Sequence, residues 1–262
     1  MKLVSYDGGF GRVEGDAVVP MGRDLVAYLG GNEMPADGQP RPLAEVTLLA
    51  PVPRPGKIVC VGLNYRDHAA ETGKPVPTEP VLFAKFSNSV VGDTTTVDIP
   101  AVTAEVDWEA ELGVVIGRRS TRVEVAEALD HVAGYTCLND LSARDLQRST
   151  SQWTRGKAID GFLPMGPWLV TRVDVPDPQD LTISCVVNGR LAQSSSTREM
   201  VFGVAELVSF ISQTMTLEPG DVIATGTPPG VGMAQDPPWF LGPGDEVVVE
   251  IERLGRLTTT MR

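Results

Sequence analysis

Acids and apolar residues alternate along Asp107-Trp108-Glu109-Ala110-Glu111-Leu112, and the alternation then gives way to the apolar run Gly113-Val114-Val115-Ile116. A period of two predicts a strand on which Asp107, Glu109 and Glu111 share one face while Trp108, Ala110 and Leu112 share the other. The run that follows reads as core strand, which puts three mutually repelling carboxylates at the mouth of a packed sheet. A divalent cation is the simplest group that relieves that repulsion. Further strands are predicted at Lys57 to Gly62, at Leu181 to Val187 with a turn at Asn188-Gly189, at Asp221 to Thr225 and at Glu246 to Glu252.

Helical spacing is sparser. Asn64 to Thr72 fits a short helix closed by Gly73 and Pro75, and Ser120 or Thr121 is positioned to cap a helix running to about His131. A third helix is expected from about Val201 to Met215, where Val204, Leu207, Val208, Ile211 and Met215 form one stripe. The first 55 residues carry short strand-like pieces and end in the proline-rich run Pro51 to Gly56, a natural boundary between a small N-terminal unit (1–55) and a main domain (56–262). Long connections without regular βαβ alternation argue for a mixed β architecture with a few helices. The echo between Leu217-Glu-Pro-Gly-Asp221 and Leu241-Gly-Pro-Gly-Asp245 is turn chemistry, since Pro-Gly fills tight turns before strands.

A chain of 262 residues with 42% hydrophobic content can bury a full core. Its formal charge of -12 disfavours phosphate backbones and anionic membranes, so neither nucleic acid nor membrane is an expected partner. With no leader-like start and no spanning apolar run, a soluble cytoplasmic protein is expected. The cysteines Cys60, Cys137 and Cys185 are odd in number and lack C-x-x-C spacing, so they read as buried small hydrophobes and not as a disulfide or zinc framework.

Asp140 follows an apolar strand and precedes a helical segment, and with Glu109 and Glu111 it would complete an all-carboxylate ligand set. Such a set selects hard cations, Mg²⁺, Mn²⁺ or Ca²⁺, over zinc. On spacing alone, a solvated acidic face with Asp140 as a helix cap accounts for the pattern equally well. His68 and Glu71 stand three apart on the predicted helix, where the carboxylate can orient the imidazole for proton transfer, although such pairs are more often plain surface groups. Lys157 sits among aromatic, cationic and flexible residues in Gln152-Trp-Thr-Arg-Gly-Lys157 and is either an anion contact or a solvated lysine. Arg144 is either a substrate ligand or an ion-pair partner of Asp140 or Asp145. His131 reads as structural. The Gly-Pro loop from Ala224 to Gly232 has neither phosphate-loop nor dinucleotide spacing, which removes nucleotide binding, yet it can present backbone N–H groups and the Thr227 hydroxyl to a carboxylate.

In order along the chain, Val61-Gly-Leu-Asn-Tyr65 with His68 and Glu71, Glu109-Ala-Glu111-Leu-Gly-Val-Val-Ile-Gly117 and Gly134-Tyr-Thr-Cys-Leu-Asn-Asp140-Leu-Ser-Ala-Arg-Asp145 resemble the fumarylacetoacetate hydrolase family. Gln152-Trp-Thr-Arg-Gly-Lys157, Leu217-Glu-Pro-Gly-Asp221 and Thr225-Gly-Thr-Pro228 extend the resemblance over about residues 56 to 257. It implies a β-sandwich-like roll behind a small N-terminal β-rich accessory domain, and a homodimer. It also implies Mg²⁺ or Mn²⁺ held by Glu109, Glu111 and Asp140, a water-activating dyad of His68 and Glu71, and substrate contacts from Lys157 and Thr227. Tyr65, Arg66, Arg144 and Gln152 are expected around a small acidic 2-oxo or diketo substrate. Asp107 is not a ligand in the family pattern and is left as a supporting or surface acid.

The activity so implied is carbon-carbon cleavage through a metal-bound enolate: hydrolysis of an acylpyruvate or β-diketo acid, or decarboxylation of a β-keto acid such as oxaloacetate. The alternative is keto-enol tautomerisation or isomerisation of a 2-oxo or hydroxydienoic diacid, and the third reading is a metal-binding protein without turnover. Phe86 departs from the proline that many relatives carry near a substrate-facing loop, a difference that bears on the pocket and not on the chemistry.

Overall fold

The computed structural model describes residues 1–32 and 38–262 and is built from two stacked sheets. The larger sheet runs in the order Arg41–Pro42, Ala17–Gly22, Gly9–Glu14, Lys2–Tyr6, Leu163–Thr171, Val132–Asn139, Ala110–Ile116, Val222–Ala224, Ile58–Gly62, Val81–Lys85. The smaller one is ordered Arg190–Ser196, Thr182–Val187, Glu246–Ile251, Gly255–Met261, Thr95–Val97. This is the mixed β, sandwich-type fold expected from the strand pattern. Lys2–Tyr6 pairs with Leu163–Thr171, so the N-terminal strands extend the main sheet.

The strand Ala110–Ile116 is central, paired antiparallel with both Val132–Asn139 and Val222–Ala224, and all seven of its residues are buried. That position is why its sequence is apolar on both faces. Ala110, Leu112, Val114 and Ile116 enter the core between the sheets, whereas Val115 enters a second core formed with Leu3, Phe10 and Leu25 on the opposite face. Glu109 and Glu111 share the parity of Val115 and emerge where the strand begins.

The predicted acidic strand is not continuous. Val106–Asp107 pairs with Ser142–Ala143, pairing lapses over Trp108 and Glu109, and the ladder resumes at Ala110 opposite Asn139. Asp107 therefore leaves the company of Glu109 and Glu111.

Among the described residues there are five short α-helices: α1 (Leu25–Leu29), α2 (Arg66–Glu71), α3 (Arg144–Arg148), α4 (Thr154–Lys157) and α5 (Val204–Thr214). The Glu206 carboxylate accepts the Gly203 backbone N–H at 2.7 Å to close the start of α5, and Val204, Leu207, Val208 and Ile211 form its buried stripe. Met215 lies just beyond α5 and is half-exposed. The helix expected from Ser120 is instead a 3-10 stretch over Val125–His131. Its proposed first turn cannot form, because Arg122 sits at φ 52° and the Arg122 and Val123 N–H groups donate to Ser212 of α5. Ser120 contacts His131 Nδ1 through its hydroxyl at 2.9 Å, which gives His131 its structural setting.

The hairpin at Asn188-Gly189 has both residues at positive φ, as a two-residue turn between twisted strands requires. Asp221 and Asp245 accept from the N–H of Glu218 and Gly242 respectively, both at 2.7 Å, so the two Pro-Gly echoes are the same side-chain-closed turn. All three cysteines are free and buried. No described helix is long and apolar enough to cross a membrane.

Leu112 is fully buried in the central strand. Leu112→Ala is expected to lower the unfolding free energy by about 2–5 kcal/mol in urea titrations, and a loss under about 1 kcal/mol would contradict its place in the core.

Candidate active site

The start of the central strand, the end of its neighbour and the end of an edge strand bring charged side chains together out of water. Glu109 and Glu111 come from the first, Asp140 follows Val132–Asn139, and Asp140 N–H donates to the Glu109 carbonyl at 2.9 Å, which holds the two loops in register. One carboxylate oxygen from each of Glu109, Glu111 and Asp140 lies within 4.8 Å of the others, and all three residues are buried. Three converging carboxylates with only oxygen donors can hold a hard divalent cation.

Two lysines meet the same acids. Lys157, at the end of α4, donates to Glu109 Oε2 at 2.6 Å and Asp140 Oδ2 at 2.7 Å, while its ammonium stands 5.0 Å from the Phe83 ring centre. Lys85, the last residue of Val81–Lys85, donates to Asp140 Oδ1 at 2.5 Å and to the Leu141 carbonyl at 3.0 Å. Arg144, opening α3, pairs through Nη1 with Glu109 at 2.7 Å and through Nε with Asp107 at 2.7 Å. Its ion partners are thus Asp107 and Glu109, and neither Asp140 nor Asp145. The Asp145 carboxylate instead accepts from Thr103, Ala104 and its own helix start at Leu146.

The electrostatics follow from these contacts. Burial opposes ionisation of Glu109, but Lys157 and Arg144 outweigh it and hold the carboxyl at about 2. Glu111 moves the other way, pushed up by burial and by the adjacent Asp140 and Glu109, with only partial relief from Lys157 and the Gly226 N–H. Lys157 is pulled down by burial, yet Asp140 and Glu109 raise it further and keep it charged. Burial lowers Lys85 despite Asp140.

Glu109, Glu111, Arg144 and Lys157 border a cavity of about 310 Å³, which His68, Thr72, Lys74, Gln147, Trp153, Thr227 and Met233 also line. His68 Nδ1 lies 2.8 Å from Glu71 Oε2, so α2 presents the histidine with one ring nitrogen held by the carboxylate. Glu71 Oε1 accepts the Gly230 N–H at 2.8 Å. Thr227 accepts from Gln193 Nε2 at 2.8 Å, which leaves its own O–H to face the cavity. Gly62 has no room for a Cβ, which would stand 2.8 Å from Trp153, so this glycine lets the indole close over the site.

Of the residues expected at this site, Glu109, Glu111, Asp140, His68, Glu71, Lys157, Thr227 and Arg144 converge. Tyr65 is wholly buried with its hydroxyl unpartnered, and the neighbouring Glu111 charge adds to the burial that raises its hydroxyl pKa. Two others do not converge: Arg66 turns its guanidinium to the Met200 carbonyl at 2.5 Å, and Gln152 is exposed. Gln147, three residues after Arg144 on one face of α3, takes the place expected of Gln152 and accepts from Arg144 Nη1 at 3.1 Å. That spacing was readable. Lys85 was not, because nothing in Val81-Leu-Phe-Ala-Lys85 distinguishes a buried lysine from a strand-end lysine in water. Phe86 is exposed on the other side of the edge strand, bordering a separate, more apolar cavity with Met215 that contains none of the three acids.

A family model described as fumarylacetoacetate (FAA) hydrolase, C-terminal, matches residues 57–262, and one described as Rv2993c-like, N-terminal, matches residues 1–51. The chain belongs to the fumarylacetoacetate hydrolase family and is an enzyme of it. Among curated proteins it is 54% identical to the mitochondrial oxaloacetate tautomerase FAHD2B of Bos taurus over 82% of this chain and 69% of that protein. Among solved structures it resembles the 2-hydroxyhepta-2,4-diene-1,7-dioate isomerase of Mycobacterium marinum, with TM-score 0.86, 38% identity and 100% and 98% of the two chains covered. A fumarylacetoacetate hydrolase from Exiguobacterium antarcticum matches with TM-score 0.90, 38% identity and 100% and 99% coverage.

Glu109 is ionised in the folded chain down to about 2, below its ordinary value of 4.5, so the stability it contributes is complete above 4.5 and is lost as pH falls through 2. In the metal-free protein, the gap in unfolding free energy between wild type and Glu109→Gln is expected to be widest near neutrality and to close between about pH 5 and pH 2. A gap that stays flat or widens on acidification would show that the ion pairs with Lys157 and Arg144 do not hold Glu109.

Proposed function

We propose that this enzyme catalyses keto-enol interconversion of a small 2-oxo diacid, with oxaloacetate the best candidate, and that Glu109, Glu111 and Asp140 hold the divalent cation it uses, Mg²⁺ or Mn²⁺. The observation that carries the reading is one cavity bordered by Glu109 and Glu111 of the converging carboxylates, by His68 with Glu71 behind it, and by a buried arginine with a free nitrogen. Arg144 Nη2 is buried and has no partner among the described residues, although the residue's other two nitrogens are engaged. An unpaired guanidinium nitrogen bordering a cavity is costly unless a ligand satisfies it, and a carboxylate is its natural complement.

The residues fit the cation: an all-oxygen, all-carboxylate set suits a hard metal, and the one acid that no lysine or arginine touches, Glu111, is the one whose charge burial and its neighbours disfavour most. When bound, the cation supplies positive charge next to the developing enolate oxygen.

The chain's own groups do the rest. Arg144 binds one substrate carboxylate. Glu71 holds Nδ1–H of His68, so Nε2 takes a proton from the methylene carbon next to the 2-oxo group. The electron pair of that C–H bond becomes the carbon-carbon double bond, and the carbonyl pair moves onto oxygen. Lys157, anchored on Glu109 and Asp140, donates to that oxygen as charge builds, and the oxygen then takes up a proton to complete the enol. Thr227 offers a further hydroxyl donor. Trp153 and Phe83 wall the cavity from water and meet edge to face with ring centres 5.3 Å apart.

The same pair could instead activate water for carbon-carbon hydrolysis, and the same enolate serves decarboxylation. The tautomerase reading is put first because relatives more than half identical to this chain bear that name. From the resemblance, a homodimer belongs to the same reading.

With Mg²⁺ or Mn²⁺ present, the enol absorbance of oxaloacetate is expected to relax faster with enzyme than without, with no stoichiometric pyruvate or carbon dioxide. His68→Ala should lower kcat/KM by about 10²–10⁴-fold, and Glu109→Ala should abolish the acceleration. Stoichiometric pyruvate would move the reaction to decarboxylation, and full activity in His68→Ala would remove the histidine from the proton transfer.

A further inference from the structure

Asp107 has the parity of a metal ligand but a different set of contacts. It is wholly buried, and four donors converge on its two oxygens. Oδ1 accepts from Trp108 N–H at 2.8 Å and Gly232 N–H at 2.6 Å, and Oδ2 accepts from Arg144 Nε at 2.7 Å and Met233 N–H at 3.1 Å. A buried carboxylate is tolerable only when so satisfied, and here the satisfaction comes from three separate parts of the chain.

Gly230 to Met233 reach the cavity wall at Met233 and make contacts in two directions. At one end Gly230 N–H donates to Glu71 at 2.8 Å, and the Gly230 carbonyl accepts Trp108 Nε1 at 3.1 Å. Two and three residues on, Gly232 and Met233 bind Asp107. The loop has little room to settle elsewhere. A Cβ at Gly230, which has φ +100°, would stand 2.0 Å from the Ala192 carbonyl, and one at Gly232 would stand 2.0 Å from the Trp239 carbonyl and 2.8 Å from Asp107 itself. Both glycines are needed to seat the backbone this close to its partners.

Arg144 is held in the same way. Asp107 on Nε and Glu109 on Nη1 fix the plane of the guanidinium, and that plane determines where the unpartnered Nη2 is aimed.

We propose that Asp107 is a positioning residue that couples the two halves of the site: it aims Arg144 at the substrate and, through the Gly230 to Met233 loop, fixes the Glu71–His68 pair opposite it. The kinetic consequence rests on the functional reading above, but the mechanical link does not. Neither the ligand set nor the proton transfer requires Asp107 to touch substrate.

The test is Asp107→Asn, which keeps size and one acceptor oxygen while setting an amide donor against the donors of Arg144 and Met233. Hydrogen exchange is followed by mass spectrometry on the full-length, metal-free protein. Faster exchange is expected in residues 66–73 and 228–234, with α5 unchanged. With oxaloacetate and metal, kcat/KM should fall about 10- to 100-fold, divided between a raised KM from the misaimed arginine and a lowered kcat from the loosened pair. Exchange that rises uniformly, α5 included, would mean that Asp107 only stabilises the fold. Exchange that rises around residue 107 but not in α2 would break the proposed link.

If Asp107→Asn does not fold, Glu71→Ala reads the link from its other end: exchange must rise at Gly230 to Met233, and an unaltered loop overturns the proposal. Because exchange needs no substrate, a wild type inactive on oxaloacetate would refute the functional reading and leave this inference to the exchange result.

Discussion

Burial of charge at the mouth of the central strand is the constraint that organises this molecule. Asp107, Glu109, Glu111 and Asp140 face Lys85, Lys157 and Arg144 in a region where none of the seven is more than 7% exposed. Removing ions from water is expensive, so each must be neutralised by a neighbour in good geometry. Glu109 and Asp140 each receive two cations, and Asp107 receives one cation and three backbone donors. Glu111 receives only a backbone N–H, that of Gly226. With all seven ionised the cluster carries one negative charge too many, and the excess falls on Glu111. A divalent cation at the triad would reverse that sign and leave the cavity positive, which is how a chain of formal charge -12 can attract an anionic substrate.

The fold supplies the rigidity that such a cluster needs. Its three converging acids stand on or beside two neighbouring interior strands of the larger sheet, and its cations come from the edge strand and two short helices. The histidine-glutamate pair is elsewhere: His68 and Glu71 lie on a six-residue helix and are tied to the rest by the Gly230 to Met233 loop. Strands hold charge in place while a short helix carries the histidine-glutamate pair, a division that would suit the proposed reaction, in which an enolate is stabilised as a proton moves.

Much of this was legible in the chain. The alternation around Glu109, the buried run after it, the stripe of α5 and the Asn188-Gly189 hairpin are local patterns, and local patterns survive folding. What was not legible depended on distant partners. Asp107 looked like a third member of the acidic face until pairing with Ser142–Ala143 broke the strand before Ala110. Ser120 looked like a helix cap until α5 claimed the neighbouring N–H groups. Lys85 carried no signal at all, since its burial follows from Asp140, 55 residues away. Gln147 was within reach of helical spacing from Arg144, whereas Gln152 was suggested only by its position in a matching motif.

The claim on which everything else rests is that the buried cluster carries one uncompensated negative charge, centred on Glu111, which a divalent cation at the triad would more than offset. Titration of the metal-free protein with Mn²⁺, with free ion followed by electron paramagnetic resonance, tests it without reference to any substrate. One Mn²⁺ per chain is predicted for wild type, with affinity lowered about 10- to 100-fold or more in Glu111→Gln, which keeps the shape and removes the charge. Equal affinity in the two proteins, or no stoichiometric binding in wild type, would contradict the account.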